Sequence, residues 1–183
     1  MEYLPITMIR PTLDGIPEHP LPDGYRIRRY APGDRQTWVA IWQTTEPFLT
    51  ITPDTFDVEF GEDLSAMDKR CLFLVDPDGV DVGTVTAWYN RKYRGKAWAR
   101  LHWLAVLPSH QGRGLSKPLV TAVLERMRSL GHRRAMLDTQ TPRLAAIRAY
   151  LDAGFRPDRT ADHAERAWAV VREALHHKAL VPA

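Results

Sequence analysis

Residues 104–116 read LAVLPSHQGRGLS, and this stretch decides the fold. An apolar run ends at Leu107 and Pro108, a Gln-Gly-Arg-Gly-Leu-Ser turn follows, and an amphipathic pattern begins directly after it. Leu119, Val123, Met127 and Leu130 recur at helical spacing, and Gly131 supplies a C-terminal cap. The next segment, RAMLDT at 134–139, reads as a short strand. Strand, helix and strand over 97–139 make a crossover, and a connection of this length favours a parallel pair. Two glycines at the strand–helix junction let backbone N–H groups approach a ligand closely. The helix start adds unpaired donors and partial positive charge, so a pyrophosphate suits the turn, with Arg113 and Lys117 at its rim. Two familiar phosphate loops are excluded. A P-loop needs Gly-Lys-Ser/Thr, and a dinucleotide fingerprint needs glycine where Lys117 stands.

Working outward, residues 1–23 carry Pro5, Pro11, Pro17, Pro20 and Pro22 and show little periodicity, so they are expected to form an extended arm lying on the domain. Residues 24–183 are expected to form one domain. GYRIRRY at 24–30 alternates as a first strand, the turn at Pro32-Gly33-Asp34 opens a helix over 35–46, and Thr52-Pro53-Asp54 opens a second to about 62. Strands over 70–75 and 80–89 flank an Asp-Pro-Asp-Gly turn, and a further strand runs over 97–107. A helix over 143–153 is stopped by Gly154, and the Asp162–Glu165 capping pattern starts a last helix to about 177. The expected class is α/β (α+β), a mixed, mostly antiparallel central sheet flanked by helices, with a helical C-terminus.

The 183 residues are 44% hydrophobic and 26% charged, the balance of a soluble globular chain. No run approaches the ~18 apolar residues of a membrane span, and the first residues lack the pattern of a secretory signal. Cys71 is the single cysteine, which excludes an internal disulfide and a multi-cysteine metal cluster and points to a reducing, cytoplasmic compartment. The 25 basic and 22 acidic residues leave +3 without a concentrated patch, so no nucleic-acid partner is expected. No membrane partner and no metal are expected; a monomer and a homodimer are both compatible.

A second segment, TQTPRLAAIRAYLDAGF at 139–155, completes the picture. Gln111, Gly112 and Gly114 match Q/R-x-x-G-x-G/A. Ala146, Tyr150, Gly154 and Phe155 match N-x-x-A-x-x-L-Y-x-x-x-G-F some thirty residues on. With both motifs in order, residues 24–157 resemble the GNAT superfamily of N-acetyltransferases. Ser116 stands in place of a last small residue, Arg143 in place of the usual Asn, and Ala149 where leucine is common. Many relatives end in another strand pair, where this chain reads as helix.

The resemblance implies acetyl-CoA as cofactor and direct transfer of acetyl to a primary amine of a small molecule or amino acid. Its alternatives are acetylation of a protein N-terminus or lysine, and a non-catalytic acyl-CoA sensor. The pantetheine arm is expected along Leu104, Ala105 and Val106, and the pyrophosphate on Gln111, Gly112, Arg113, Gly114, Leu115 and Ser116. Arg143 and Ala146 would complete the cofactor site, Arg143 reaching toward a phosphate. Tyr150 matches the tyrosine that protonates the leaving thiolate in relatives. Family members often place a glutamate base near position 100, where this chain has Arg100.

Strand alternation puts Arg100, His102, Leu104 and Val106 on one face. His102 suits a general base, and equally a structural histidine on a half-buried strand. By analogy with the fold, the acceptor pocket is expected near Trp42, Glu46, Phe48 and Trp88, with Glu46 attracting a cationic amine. Arg100 is a possible partner for an acceptor carboxylate.

Overall fold

A computed structural model describes residues 1–61 and 64–181. Residues 62–63, where the second helix was expected to end, and 182–183 lie outside the described residues. The elements run β1 (Pro5–Arg10), β2 (Arg26–Arg29), α1 (Asp34–Thr45), α2 (Thr55–Phe60), α3 (Met67–Arg70), β3 (Cys71–Val75), β4 (Asp81–Tyr93), β5 (Lys96–Val106), α4 (Ser116–Ser129), β6 (Ala135–Gln140), α5 (Leu144–Asp152), β7 (Arg156–Pro157) and α6 (Ala164–Ala174). They build one seven-stranded sheet in the order β2-β3-β4-β5-β6-β1-β7. Every pair is antiparallel except β5–β6, the pair spanned by the α4 crossover.

Helices cover both faces, and the strand alternation explains how. On β3, Leu72 and Leu74 join the layer of Leu119, Val123 and Met127 from α4 and Ile147 and Leu151 from α5. Cys71 and Phe73 point the other way, into the layer of Trp38, Trp42, Phe56 and Phe60 from α1 and α2. Among the described residues no helix is long and apolar enough to cross a membrane.

The first residues correct one expectation. They do not lie on the domain as an arm; β1 is inserted into the sheet between β6 and β7, with Ile6, Met8 and Ile9 buried. The prolines do not prevent this, because Pro5 opens the strand and Pro11 follows it, where no ladder N–H is required. The capping pattern at 162–165 also reads differently. His163 caps α6 without a side-chain bond, and Glu165 pairs with Arg159 instead.

Two irregularities shape the middle of the sheet. In the β4–β5 ladder Thr84 faces Ala105 but Thr86 faces His102, so one residue of β4 opposes two of β5. Trp103 sits at this bulge with φ 53°, a left-handed conformation unusual for a bulky side chain. The parallel β5–β6 pairing, in turn, covers only Ala99–Ala135 and Arg100–Met136. Beyond residue 100 the two strands part, and the opening faces α5 and the end of α1.

Candidate active site

Two adjoining hollows occupy that opening. The larger, about 460 Å³, is walled by Leu104, Ala105 and Val106 of β5, the turn from His110 to Ser116, the start of α5 and the loop at Pro47–Phe48. The smaller, about 240 Å³, is walled by Glu59, Arg100, His102, Trp103, Asp138 and Tyr150 among others. Trp42, Leu104, Arg143 and Ala146 border both.

The turn is built for an anion by its backbone. Gly112 and Gly114 both have φ 76°, and a side chain at either would meet nothing within 4 Å. The N–H groups of residues 112–115 have no hydrogen-bond partner among the described residues. The first turn of α4 has no side-chain cap and no acidic residue, so its positive end is left open. Gln111 braces the turn, its Nε2 donating to the Val106 carbonyl at 2.9 Å. Arg113 folds back onto Ser109 O and the Tyr25 hydroxyl, away from the cleft, and Lys117 pairs with Asp152 at 3.1 Å.

In the smaller hollow His102 is 8% exposed, and its Nε2 lies 3.0 Å from Glu59 Oε2. Trp103 Nε1 donates to the same oxygen at 2.9 Å. Adjacent strand residues normally point to opposite faces; the bulge turns both indole and imidazole toward α2. Expected alternation therefore fails past residue 102. His102 does not share a face with Leu104 and Val106, which pack in the layer of α4 and α5. Burial holds the His102 pKa below its ordinary value, against the opposing pull of Glu59. The His102 bond holds the Glu59 carboxyl below its own, with Trp103 adding to it. The stable state is thus a neutral imidazole beside an ionised carboxylate. A carboxylate can only accept, so Nε2 carries the hydrogen and Nδ1 the lone pair.

Tyr150 is 6% exposed and lines the same hollow, and its hydroxyl has no partner among the described residues. Burial pushes its phenol far above the ordinary value, so it stays protonated. Arg143 donates to both oxygens of Glu46, at 2.8 and 2.6 Å, and its Nε to Gln140 Oε1 at 2.6 Å. This pair stands between the hollows. It changes the expected roles of both residues: the Glu46 charge is already neutralised, and Arg143 is held by protein, not left free for a phosphate. Arg100 pairs with Asp138 at 3.2 Å. Phe48 lines the larger hollow, against Tyr3, whereas Trp88 packs on Phe60 and Arg70 and borders neither.

A family model described as the acetyltransferase (GNAT) family matches residues 35–155. The chain belongs to the GNAT acetyltransferase family. Similar to this chain is a mycothiol acetyltransferase of Actinosynnema mirum, 29% identical over 156 residues that make up 81% of this chain and 50% of that protein. N-acetyltransferase 8B of Rattus norvegicus is 37% identical over 91 residues, 49% of this chain and 41% of that one. Among solved structures, a GCN5-related N-acetyltransferase from Sphaerobacter thermophilus superposes with a TM-score of 0.68 at 24% identity, over 84% of this chain and 48% of that chain. At that identity the likeness shows the fold. The chain spans about half the length of the mycothiol acetyltransferase it matches.

Glu59 and Asp138 were not among the residues expected at the site. Glu59 carries a signal in hindsight, because Phe56, Glu59 and Phe60 share one helix face and a carboxylate there must meet the sheet. Asp138 carries none beyond its place on a short strand.

Proposed function

We propose that this GNAT-family chain moves an acetyl group from acetyl-CoA to a primary amine of a small molecule. The observation that carries the reading is the pocket in which a neutral histidine, held by a carboxylate, and a buried, protonated tyrosine adjoin an anion-ready cleft. Coenzyme A fits that cleft. The free N–H groups of residues 112–115 and the open start of α4 would hold its pyrophosphate, and the separated edge of β5 would hold its pantetheine arm. Bound there, acetyl-CoA would supply an activated thioester.

The side chains divide the proton work. An alkylamine has a pKa near 10.4 and must be deprotonated to attack, so a base is needed. His102 Nδ1 takes that proton, and Glu59 holds the ring in the required tautomer and stabilises the imidazolium that results. Tyr150 Oη, in the same pocket, keeps a proton available to a leaving thiolate. The His102–Glu59 pair favours an enzyme over an acyl-CoA sensor, which needs no base.

Thermal unfolding with and without acetyl-CoA tests the cofactor, and thiol release with amines tests the reaction. Ligand at ~100 times its Kd adds about 2.7 kcal/mol, or about 5–10 °C for a domain of this size. The shift should vanish when Gly112 and Gly114 are both replaced by bulky residues. No shift at millimolar acetyl-CoA would end the proposal.

A further inference from the structure

We infer that the acceptor is a small amine bearing no carboxylate, and that the Arg100–Asp138 pair enforces this choice. The inference rests on the acetyl-transfer reading above and names the acceptor class for the same pocket.

Charge matching carries it. Three carboxylates line the smaller hollow, Glu46, Glu59 and Asp138, against two guanidiniums, Arg100 and Arg143. Each guanidinium is already matched to a carboxylate. Arg143 holds Glu46 through two bonds of 2.8 and 2.6 Å, and Arg100 holds Asp138 at 3.2 Å. Asp138 is fixed from its other side, where Thr7 Oγ1 of β1 donates to Oδ1 at 2.8 Å. Glu59 differs. Its hydrogen-bond partners are the imidazole of His102 and the indole N–H of Trp103, neither of which brings a charge in the stable state, and Arg100, already paired with Asp138, acts on it only through space. One negative charge is therefore left over in the pocket.

The walls agree with the charge. Trp42 and Trp103 stand edge to face with ring centroids 4.5 Å apart, and both line the hollow. Indoles and an unmatched carboxylate attract an ammonium group. A carboxylate entering the same space meets Glu59 and finds both guanidiniums already paired, with the buried Nε–H of Arg100 left without a partner among the described residues. It would have to take Arg100 from Asp138, whose carboxylate would then be held by Thr7 alone. A negatively charged acceptor is thus rejected by residues already in place, while its decarboxylated counterpart is accepted.

The test compares matched amines at saturating acetyl-CoA, followed by thiol release. The pairs are tyramine with tyrosine, phenethylamine with phenylalanine, and isoamylamine with leucine, each amino acid also tried as its methyl ester. The amines and the esters should exceed the free amino acids at least tenfold in kcat/KM. Asp138→Asn, which frees Arg100 and removes a negative charge, should narrow that ratio by about tenfold. Equal or faster turnover of the free amino acids by the wild type overturns the inference. So does turnover of none of the compounds by protein that acetyl-CoA still stabilises against heat. An unchanged ratio in folded Asp138→Asn overturns the role of the pair. If acetyl-CoA gives no stabilisation at all, the acetyl-transfer reading falls first and this one with it.

Discussion

Glu59 and His102 are 43 positions apart in sequence, yet their bond fixes which imidazole nitrogen can act as a base. Protonation sets the pH behaviour. Burial holds the His102 pKa below its ordinary value of about 6.5, so kcat/KM should fall only as pH drops through that lowered value. Glu59 is the main group pulling the pKa back up. Glu59→Gln should therefore move the acid limb to still lower pH and reduce the plateau, and a pH–rate profile reads both effects. An unmoved limb would remove Glu59 from its proposed positioning role. The same shift bears on stability. The unfolded chain takes up a proton on this histidine below pH about 6.5 while the folded one resists, so stability is present above that pH and lost as pH falls through the lowered pKa. Denaturation of His102→Gln at pH 5 and pH 7 should show a smaller difference than wild type. Tyr150→Phe keeps the ring contact with Phe155 and deletes only the hydroxyl, so melting should hardly move while kcat falls about 10²-fold or more. Residue type marks His102 and motif position marks Tyr150 as candidates in the sequence, and the structure places both at one hollow. The Glu59 contact is not legible there, because it forms only when α2 closes over the sheet.

At the scale of elements, the turn before α4 and the turn after α5 both depend on glycine, for different reasons. Gly112 and Gly114 have positive φ but open space around them. Alanine at either position costs only the left-handed backbone, about 1–2 kcal/mol. Gly154 has φ 84°, and a side chain there would run into the Arg10 guanidinium, itself anchored to the carbonyls of Asp14 and Gly15. Gly154→Ala should thus lower the melting temperature clearly more than Gly112→Ala, while Gly112→Ala should weaken acetyl-CoA binding more than Gly154→Ala. Calorimetric melts with and without ligand separate the two. The turn, α4, α5 and the parallel crossover were readable because glycine punctuation and apolar spacing are local signals. The bulge at Trp103 was not. Residues 97–107 contain no glycine or proline to mark it, and the irregularity exists only in the register with β4. Its consequence is large, since it places His102 and Trp103 together on Glu59.

Over the whole molecule, the sheet takes in a strand from the first residues between β6 and the edge strand β7. β1 joins β6 and β7, and its contacts with β6 span more than a hundred positions, from Pro5–Gln140 to Arg10–Ala135. No local reading finds such a pairing, and the density of prolines over the first residues argued against a strand. The placement also reaches the proposed acceptor pocket, because Thr7 of β1 holds Asp138, and Asp138 holds Arg100. Met8 is the decisive position. It lies at 0% exposure, opposite Leu137 on one side and Pro157 on the other. An arm merely resting on the surface would tolerate its truncation. A strand at the centre of this edge would not, and Met8→Ala should cost about 2–5 kcal/mol through lost burial and the cavity left behind. For a chain of this length that is about 5–15 °C in melting temperature. Val58→Ala, on the exposed side of α2, should by comparison change little. Equal, small shifts in the two variants would mean that β1 is not part of the cooperative sheet, and the link from the first strand through Asp138 to the acceptor pocket would then fail with it.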